Sequence, residues 1–480
     1  MIRPLLAAAF ACAGLAFAAP ALAAPQAKGG PVYKASPCIG DFGDQLGRVT
    51  CGILTVDESR GVKNSRRIAI PVVVIKASAP RAGQPPVFYL QGGPGGAAVQ
   101  GASRIARSPL AKDMIAVDQD WVFFDERGSG MASPLLDCGN VAMNDAGPLS
   151  PAAAESLKAC AALHAAAGVD LSRYNEREVA LDVQDLRQAL GYQQIDLFGA
   201  SYGTSAAMAI LRHAPQGVRA VVLDSPWPPE ANWGQGGPQM VSNAVRLVMA
   251  KCAADAECQK RYPTLEADVV AMAKRFVAGP QTVKGRSYTA SDVGGFLMDA
   301  AYDDGGARHL PVDLANIAKG DFSALDAHRA DRSPYFEGQH LTHLCKEEFP
   351  FENRAKVAEV GDDPIAGLLV PSMSRYFEVC DAWPVGKPNP VDGSPQSSGV
   401  PTLFLAAEID PGCPPELARA AAARFSKSQL FIAPNVTHGV SFRSPCTRGL
   451  VRSFFQDPST PLDGKCLEAE NPKFEFDYGE

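Results

Sequence analysis

The chain has no C-x-x-C pair, which removes the simplest zinc-knuckle spacing. It has no G-x-x-x-x-G-K-[ST] segment, so its glycine-rich turns are not a phosphate-cradling P-loop. No basic stripe or arginine-rich run occurs, and net charge is mildly negative at -7, which argues against a nucleic-acid partner. No internal repeat is present. Histidine is scarce, seven in 480 residues, so each can be weighed as a general base. What remains is an ordinary globular composition, 46% hydrophobic and 20% charged, long enough for two domains or one large domain with an insertion.

The first 27 residues, MIRPLLAAAFACAGLAFAAPALAAPQA, read as an export signal. Arg3 gives a thin positive start, Leu5 to Phe17 the apolar core, and Ala21-Leu22-Ala23 the small residues of a cleavage site. The expected signal peptide is 1–23, and the mature chain then has no membrane span. Lipidation at Cys12 is disfavoured by Phe10 and by its position so near the start. Twelve cysteines agree with an oxidising compartment, periplasmic or secreted. Neighbours in sequence suggest the pairs Cys38 with Cys51, Cys138 with Cys160, Cys252 with Cys258, Cys345 with Cys380, and Cys446 with Cys466. Cys413 is left over.

Strand-like runs at 67–76, 85–90, 120–125 and 195–198 end in polar, glycine-rich loops. Asn175 and Glu178 have the spacing of a helix cap, and Val179, Val183, Leu186 and Leu190 recur at helical intervals before Gly191. A further helix is expected from about Ser201 to His213, and a strand from Val218 to Asp224. The β-α-β-α-β order implies an α/β fold with a mostly parallel sheet flanked by helices. From about 235 to 385 the pattern is mostly helical; strands resume at Thr402 after a Pro/Gly/Ser loop. We therefore divide the chain into a core at 24–229, a helical cap insertion at 230–395, and the second part of the core at 396–480.

The segment IDLFGASYGTS, 195–205, sets a serine between two glycines where a strand becomes a helix. Such a strained corner lifts a hydroxyl above the sheet as a nucleophile. Acyl transfer then needs a base, a group to orient it, and donors for the oxyanion. Downstream, EID ends a strand at Asp410, and His438 follows another, in the order Ser, Asp, His of the α/β-hydrolases. Asp410 is preferred to Glu408, two residues earlier, and Asp224 is its main rival. His164, His213, His309 and His328 read as surface residues, and His340-x-x-His343 as metal ligands is disfavoured. The run Gly92-Gly93-Pro94-Gly95-Gly96 supplies backbone N–H groups; the oxyanion donors are expected at Gly92 or Gly93 and at Tyr202. No metal and no cofactor is expected.

Together, QGGPGG, DERGSG-x-x-SPL, GASYGT, EIDPGCPP and THG resemble the prolyl iminopeptidase/tripeptidyl aminopeptidase family of α/β-hydrolases. The resemblance spans about residues 80–470. CKEEFPF at 345–351 and CDAWP at 380–384 are similar to the family's cap motifs. It implies an exported serine aminopeptidase, of tripeptidyl or prolyl type, acting on peptides with a free N-terminus. Ser201, Asp410 and His438 would be its triad, and Glu347 and Glu348 would hold the substrate's amine. Three positions depart from the family: Gln91 stands where many iminopeptidases have His, Glu126 where Gln is common, and Cys413 where Thr is usual. Trp227, Trp233, Phe349, Phe351 and Trp383 are candidates for the pocket wall, or plain cap core. The alternatives are a secreted carboxylesterase or lipase on the same fold, and a catalytically silent binding protein.

Overall fold

The computed structural model describes residues 30–141, 148–330, 335–470 and 473–479, without the side chains of 329 and 330. The expected signal segment, 1–23, lies outside the described residues. Residues Pro31 to Glu480 form one compact unit.

Nine strands make one sheet. They are β1 (Val32–Ser36), β2 (Val49–Asp57), β3 (Arg67–Ile75), β4 (Val87–Leu90), β5 (Trp121–Phe124), β6 (Ile195–Ala200), β7 (Val218–Asp224) and, after the hairpin β8 (Gln281–Val283) and β9 (Arg286–Tyr288), β10 (Thr402–Ala407) and β11 (Ser428–Ala433). The sheet order is β1-β2-β3-β5-β4-β6-β7-β10-β11. From β5 to β11 every neighbouring pair is parallel. β1, β2 and β3 pair antiparallel, as does β3 with β5. The apolar run 67–76 is therefore a strand, but it points the other way. A short link returns β2 directly onto β3, whereas parallel neighbours need a long crossover. The carboxyl end of β3 is thus remote from the loops that follow β4, β6 and β10.

The strands β4, β5 and β6 are buried on both faces and read as apolar runs rather than alternating ones, broken only by Asp196 in β6, which pairs with Arg219. One face packs Trp121, Phe123 and Phe198 against the helix Pro445–Gln456. The other packs Phe88, Leu197 and Phe404 against the helices Glu176–Ala189 and Tyr202–His213. The first of these helices starts where the cap spacing places it: Asn175 Oδ1 accepts the Glu178 N–H at 3.0 Å. It ends at Gly191, whose positive φ of 78° is a left-handed helix stop.

Between β7 and β10 the chain is mostly helical. Helices Trp233–Ala254, Leu265–Ala278, Ala290–Tyr302 and Asp304–Ala318 bury an apolar cluster of their own around Val245, Met272 and Leu314. Disulfides join Cys38–Cys51, Cys138–Cys160, Cys252–Cys258, Cys345–Cys380 and Cys446–Cys466. Cys413 is free and buried. Among the described residues no helix is long and apolar enough to cross a membrane.

Candidate active site

Ser201 sits at the turn between β6 and the helix Tyr202–His213, at φ 57° and ψ -127°. A β-carbon-bearing residue is costly in that region, and the surroundings hold it there. Its N–H donates to the Asp224 carbonyl at 2.8 Å, and its carbonyl accepts from Thr204 at 2.8 Å. The flanking glycines have a steric cause. A β-carbon on Gly199 would lie 2.3 Å from the Gly203 carbonyl oxygen, and one on Gly203 would lie 2.1 Å from that of Leu90. Only a side-chain-free chain lets the strand and helix approach this closely.

Asp410 lies in the loop after β10. Its Oδ1 accepts the N–H groups of Gly412 and Cys413 at 3.0 and 2.8 Å, and its Oδ2 faces His438 Nδ1 at 2.8 Å. The imidazole is therefore held through Nδ1. The two rival carboxylates are otherwise engaged. Asp224 accepts the N–H groups of Val440 and Ser441 at 2.8 and 2.9 Å, and the Ser441 hydroxyl. It caps the helical turn after His438. Glu408 pairs with Lys251 at 2.9 Å and accepts the Asn435 N–H.

The helices between β7 and β10 complete the surroundings of His438, through residues that the sequence reading did not single out. The Tyr302 ring meets the imidazole edge-on with centroids 4.8 Å apart. Asp304 accepts the N–H and hydroxyl of Thr437 at 2.9 and 2.7 Å. From the turn after His438 itself, Arg443 donates to the carbonyls of His438 and Tyr302 at 2.7 and 3.1 Å. The chain between β7 and β10 also grips the glycine loop: His340 Nδ1 donates to the Pro94 carbonyl at 2.8 Å, and the Phe336 N–H to that of Gly95 at 3.0 Å.

Gly92 borders the serine so closely that a β-carbon there would lie 3.1 Å from Ser201 Cβ. Gly93 follows at φ 132°. Tyr202 opens its helix, so its N–H has no acceptor within that helix. The Tyr202 hydroxyl is buried, in hydrogen-bond contact with His343 Nδ1. The same nitrogen lies 2.8 Å from Glu347 Oε2, while Glu347 Oε1 accepts the Glu176 N–H at 2.5 Å.

Ser201, His438, Gly93 and Cys413 open onto one cavity of about 790 Å³, which Trp227, Trp233, Tyr302 and Tyr376 also line. Seven carboxylate residues share it: Glu176, Asp292, Asp299, Asp303, Glu347, Glu348 and Asp392. Burial, reinforced by the Asp392 charge, holds the Glu347 carboxyl well above its ordinary range. Burial and then Glu347 do the same to Glu176. Burial pushes His340 and His343 down to about 4, so both are neutral at physiological pH. Glu348 accepts the Trp233 N–H at 2.9 Å and the Trp227 indole N–H at 3.3 Å, helping to seat the helix Trp233–Ala254. Of the remaining aromatic candidates, Phe349 packs on Tyr376 and Phe377, and Trp383 is core, donating to Thr342 Oγ1. His328, expected on the surface, is partly exposed and lines the cavity beside Asp299.

An alpha/beta hydrolase fold model matches residues 85–259, and the model of TAP-like proteins matches residues 368–466. By these two matches the chain is an alpha/beta hydrolase in fold whose C-terminal segment resembles the TAP-like proteins. It is similar to the serine protease Hip1 of Mycobacterium tuberculosis, 24% identical over 464 residues, 88% of each chain. It is similar also to the tripeptidyl aminopeptidase of Streptomyces lividans, 27% identical over 188 residues, 37% of this chain and 35% of the relative. Among solved structures, the proline iminopeptidase of Mycobacterium smegmatis aligns over 85% of this chain and 98% of its own, at 13% identity and a TM-score of 0.41.

Proposed function

We propose that this alpha/beta hydrolase is an exported serine aminopeptidase that releases residues from the free N-terminus of peptides. Ser201 Oγ attacks the scissile carbonyl, and His438 takes its proton while Asp410 holds the ring by Nδ1. The N–H of Tyr202 and that of Gly92 or Gly93 receive the oxyanion. Collapse expels the new amine, protonated by His438, and leaves an acyl-serine. Water, activated by the same imidazole, then releases the N-terminal fragment.

The observation that carries this reading is the one cavity that joins Ser201 and His438 to buried carboxyls. A carboxyl removed from water and lacking a cation is costly, and an arriving ammonium relieves that cost. Glu347, with Glu176 beside it, is the anchor we assign to the substrate's α-ammonium. Glu348, already bound to Trp233 and Trp227, shapes the wall. The 230–395 insertion acts as the cap that limits entry to chain ends. The five disulfides support export, since such bonds persist in oxidising compartments.

The test compares p-nitroanilides of proline, alanine and tripeptides, each with a free or an acetylated amine, against p-nitrophenyl esters. Hydrolysis of the free-amine anilides, with strong loss on acetylation, is expected. Activity on esters alone would replace the peptidase reading with an esterase one. A fluorophosphonate probe that leaves Ser201 unlabelled would remove the hydrolase reading altogether.

A further inference from the structure

Five disulfides take up ten cysteines, and Cys413 is the one free cysteine among the described residues. It lies three residues after Asp410, buried, and lines the same cavity as Ser201 and His438. One ligand atom from each of Asp410, Cys413 and His438 falls within 4.8 Å of the others. The remaining cysteine-histidine group, Cys138, Cys160 and His164, offers no thiolate, because its two sulfurs are bonded to each other.

We propose that Asp410, Cys413 and His438 form a site for a thiophilic divalent cation of the zinc type, and that its occupancy silences the hydrolase. Sulfur, imidazole nitrogen and carboxylate oxygen are the donors zinc takes, at roughly 2.0–2.3 Å, which puts tetrahedral ligands roughly 3.5 Å apart. To reach that spacing the Asp410–His438 pair, 2.8 Å apart, opens and the Cys413 sulfur, within 4.8 Å, closes in. The cavity supplies an entry path, and a water beside Ser201 supplies the fourth ligand. As the metal–sulfur bond forms, the thiol releases its proton to solvent. The metal takes the Nδ1 lone pair in place of the Asp410 hydrogen bond, so the neutral ring carries its proton on Nε2 and cannot accept one from Ser201. Threonine at this position would offer no soft donor, so the device depends on the cysteine this chain carries.

The inhibitory half rests on the reading of His438 as base, whereas metal binding does not. Two measurements separate them. In the first, zinc is titrated into tag-free full-length protein and Cys413→Ser, each normalised to its own zinc-free rate. Wild-type inhibition in the micromolar range, reversed by a chelator, is expected. The variant should need at least roughly tenfold more zinc, the scale on which even outer-shell changes alter metal affinity. Equal sensitivity of the two proteins overturns the proposal. In the second, cobalt(II) is added to Ser201→Ala. A thiolate-to-cobalt charge-transfer band in the near ultraviolet, absent from Ser201→Ala/Cys413→Ser, is expected. No band alongside an active wild-type hydrolase sinks the metal site and leaves the triad reading standing. A band without zinc inhibition sinks the inhibitory half and counts against His438 as base.

Discussion

The Tyr302 ring stands edge-on to the His438 imidazole, centroids 4.8 Å apart and planes at 85°. Its hydroxyl fills the space over Gly412, where a β-carbon would come within 1.6 Å of it. The chain between β7 and β10 therefore reaches across the cavity to brace the ring that Asp410 holds from the other side. An edge-to-face pair contributes about 0.5–1.5 kcal/mol beyond burial. Tyr302→Ala is expected to lower kcat roughly tenfold on anilides and esters alike, because the ring is used on every substrate. Tyr302→Phe should keep most of the rate, and Gly412→Ala should resemble Tyr302→Ala by displacing the hydroxyl. Steady-state kinetics on both substrate classes check this. An effect confined to KM would contradict a bracing role.

Asp410 and Asp224 both end strands near His438, yet they hold different things. Asp410 faces Nδ1 of the imidazole, while Asp224 fastens the backbone of Val440 and Ser441. Asp410→Asn should reduce kcat by about 10⁴ with an unchanged melting temperature, since an amide favours the wrong tautomer while keeping the shape. Asp224→Asn leaves one backbone N–H facing a donor instead of an acceptor. It should lower the melting temperature by several degrees and reduce kcat far less. Thermal unfolding beside turnover measurements separates the two, and a reversed pattern would exchange their roles.

These contrasts show what the sequence could and could not carry. GASYG, the 92–96 glycines, EID and THG are local signals at strand ends, and the fold brings such ends to one edge of a parallel sheet. The near-neighbour cysteines likewise find each other over short loops. Tyr302 and His340 gave no such signal. His340 touches Pro94 across 246 residues of chain, and no periodicity encodes which helix face a distant insertion lays on a loop. The pair His340 and His343 invited a question about metal, when their buried rings instead hold Pro94 and lie between Tyr202 and Glu347. The direction of β3 was hidden because an apolar run looks the same from either end.

Glu347 links the acidic wall to the nucleophile's turn, through His343 Nδ1 and the Tyr202 hydroxyl. Its carboxyl is held above the ordinary range, first by burial and then by Asp392. An ammonium substrate needs it ionised, so kcat/KM for free-amine anilides should rise with pH along a limb above the usual carboxylate range. Glu347→Gln should abolish that limb and lower kcat/KM by roughly 100-fold, the effect of losing about 2–3 kcal/mol of buried charge pairing. Esters should lose little and should show no such limb in either protein. pH–rate profiles on the two substrate classes decide it; equal losses on both would refute the anchor.

Glu126 presents the clearest cost in stability. It is buried under the glycine loop's neighbour Gln339, which donates to Oε2 at 3.1 Å, while Oε1 has no partner. Burial raises its carboxyl from 4.5 to about 7. Because the folded value exceeds the unfolded one, the protonated acid is favoured by folding. Its contribution is fully present below about pH 4.5 and is lost as pH rises through about 7, a difference of about 3 kcal/mol. Gln in its place keeps the shape and an acceptor for Gln339, and never ionises. Glu126→Gln should therefore match the wild type near pH 5 and exceed its melting temperature by several degrees at about pH 8. Thermal unfolding of both proteins across that range reads the difference, and a gap that stays constant with pH would show that Glu126 does not titrate inside the fold.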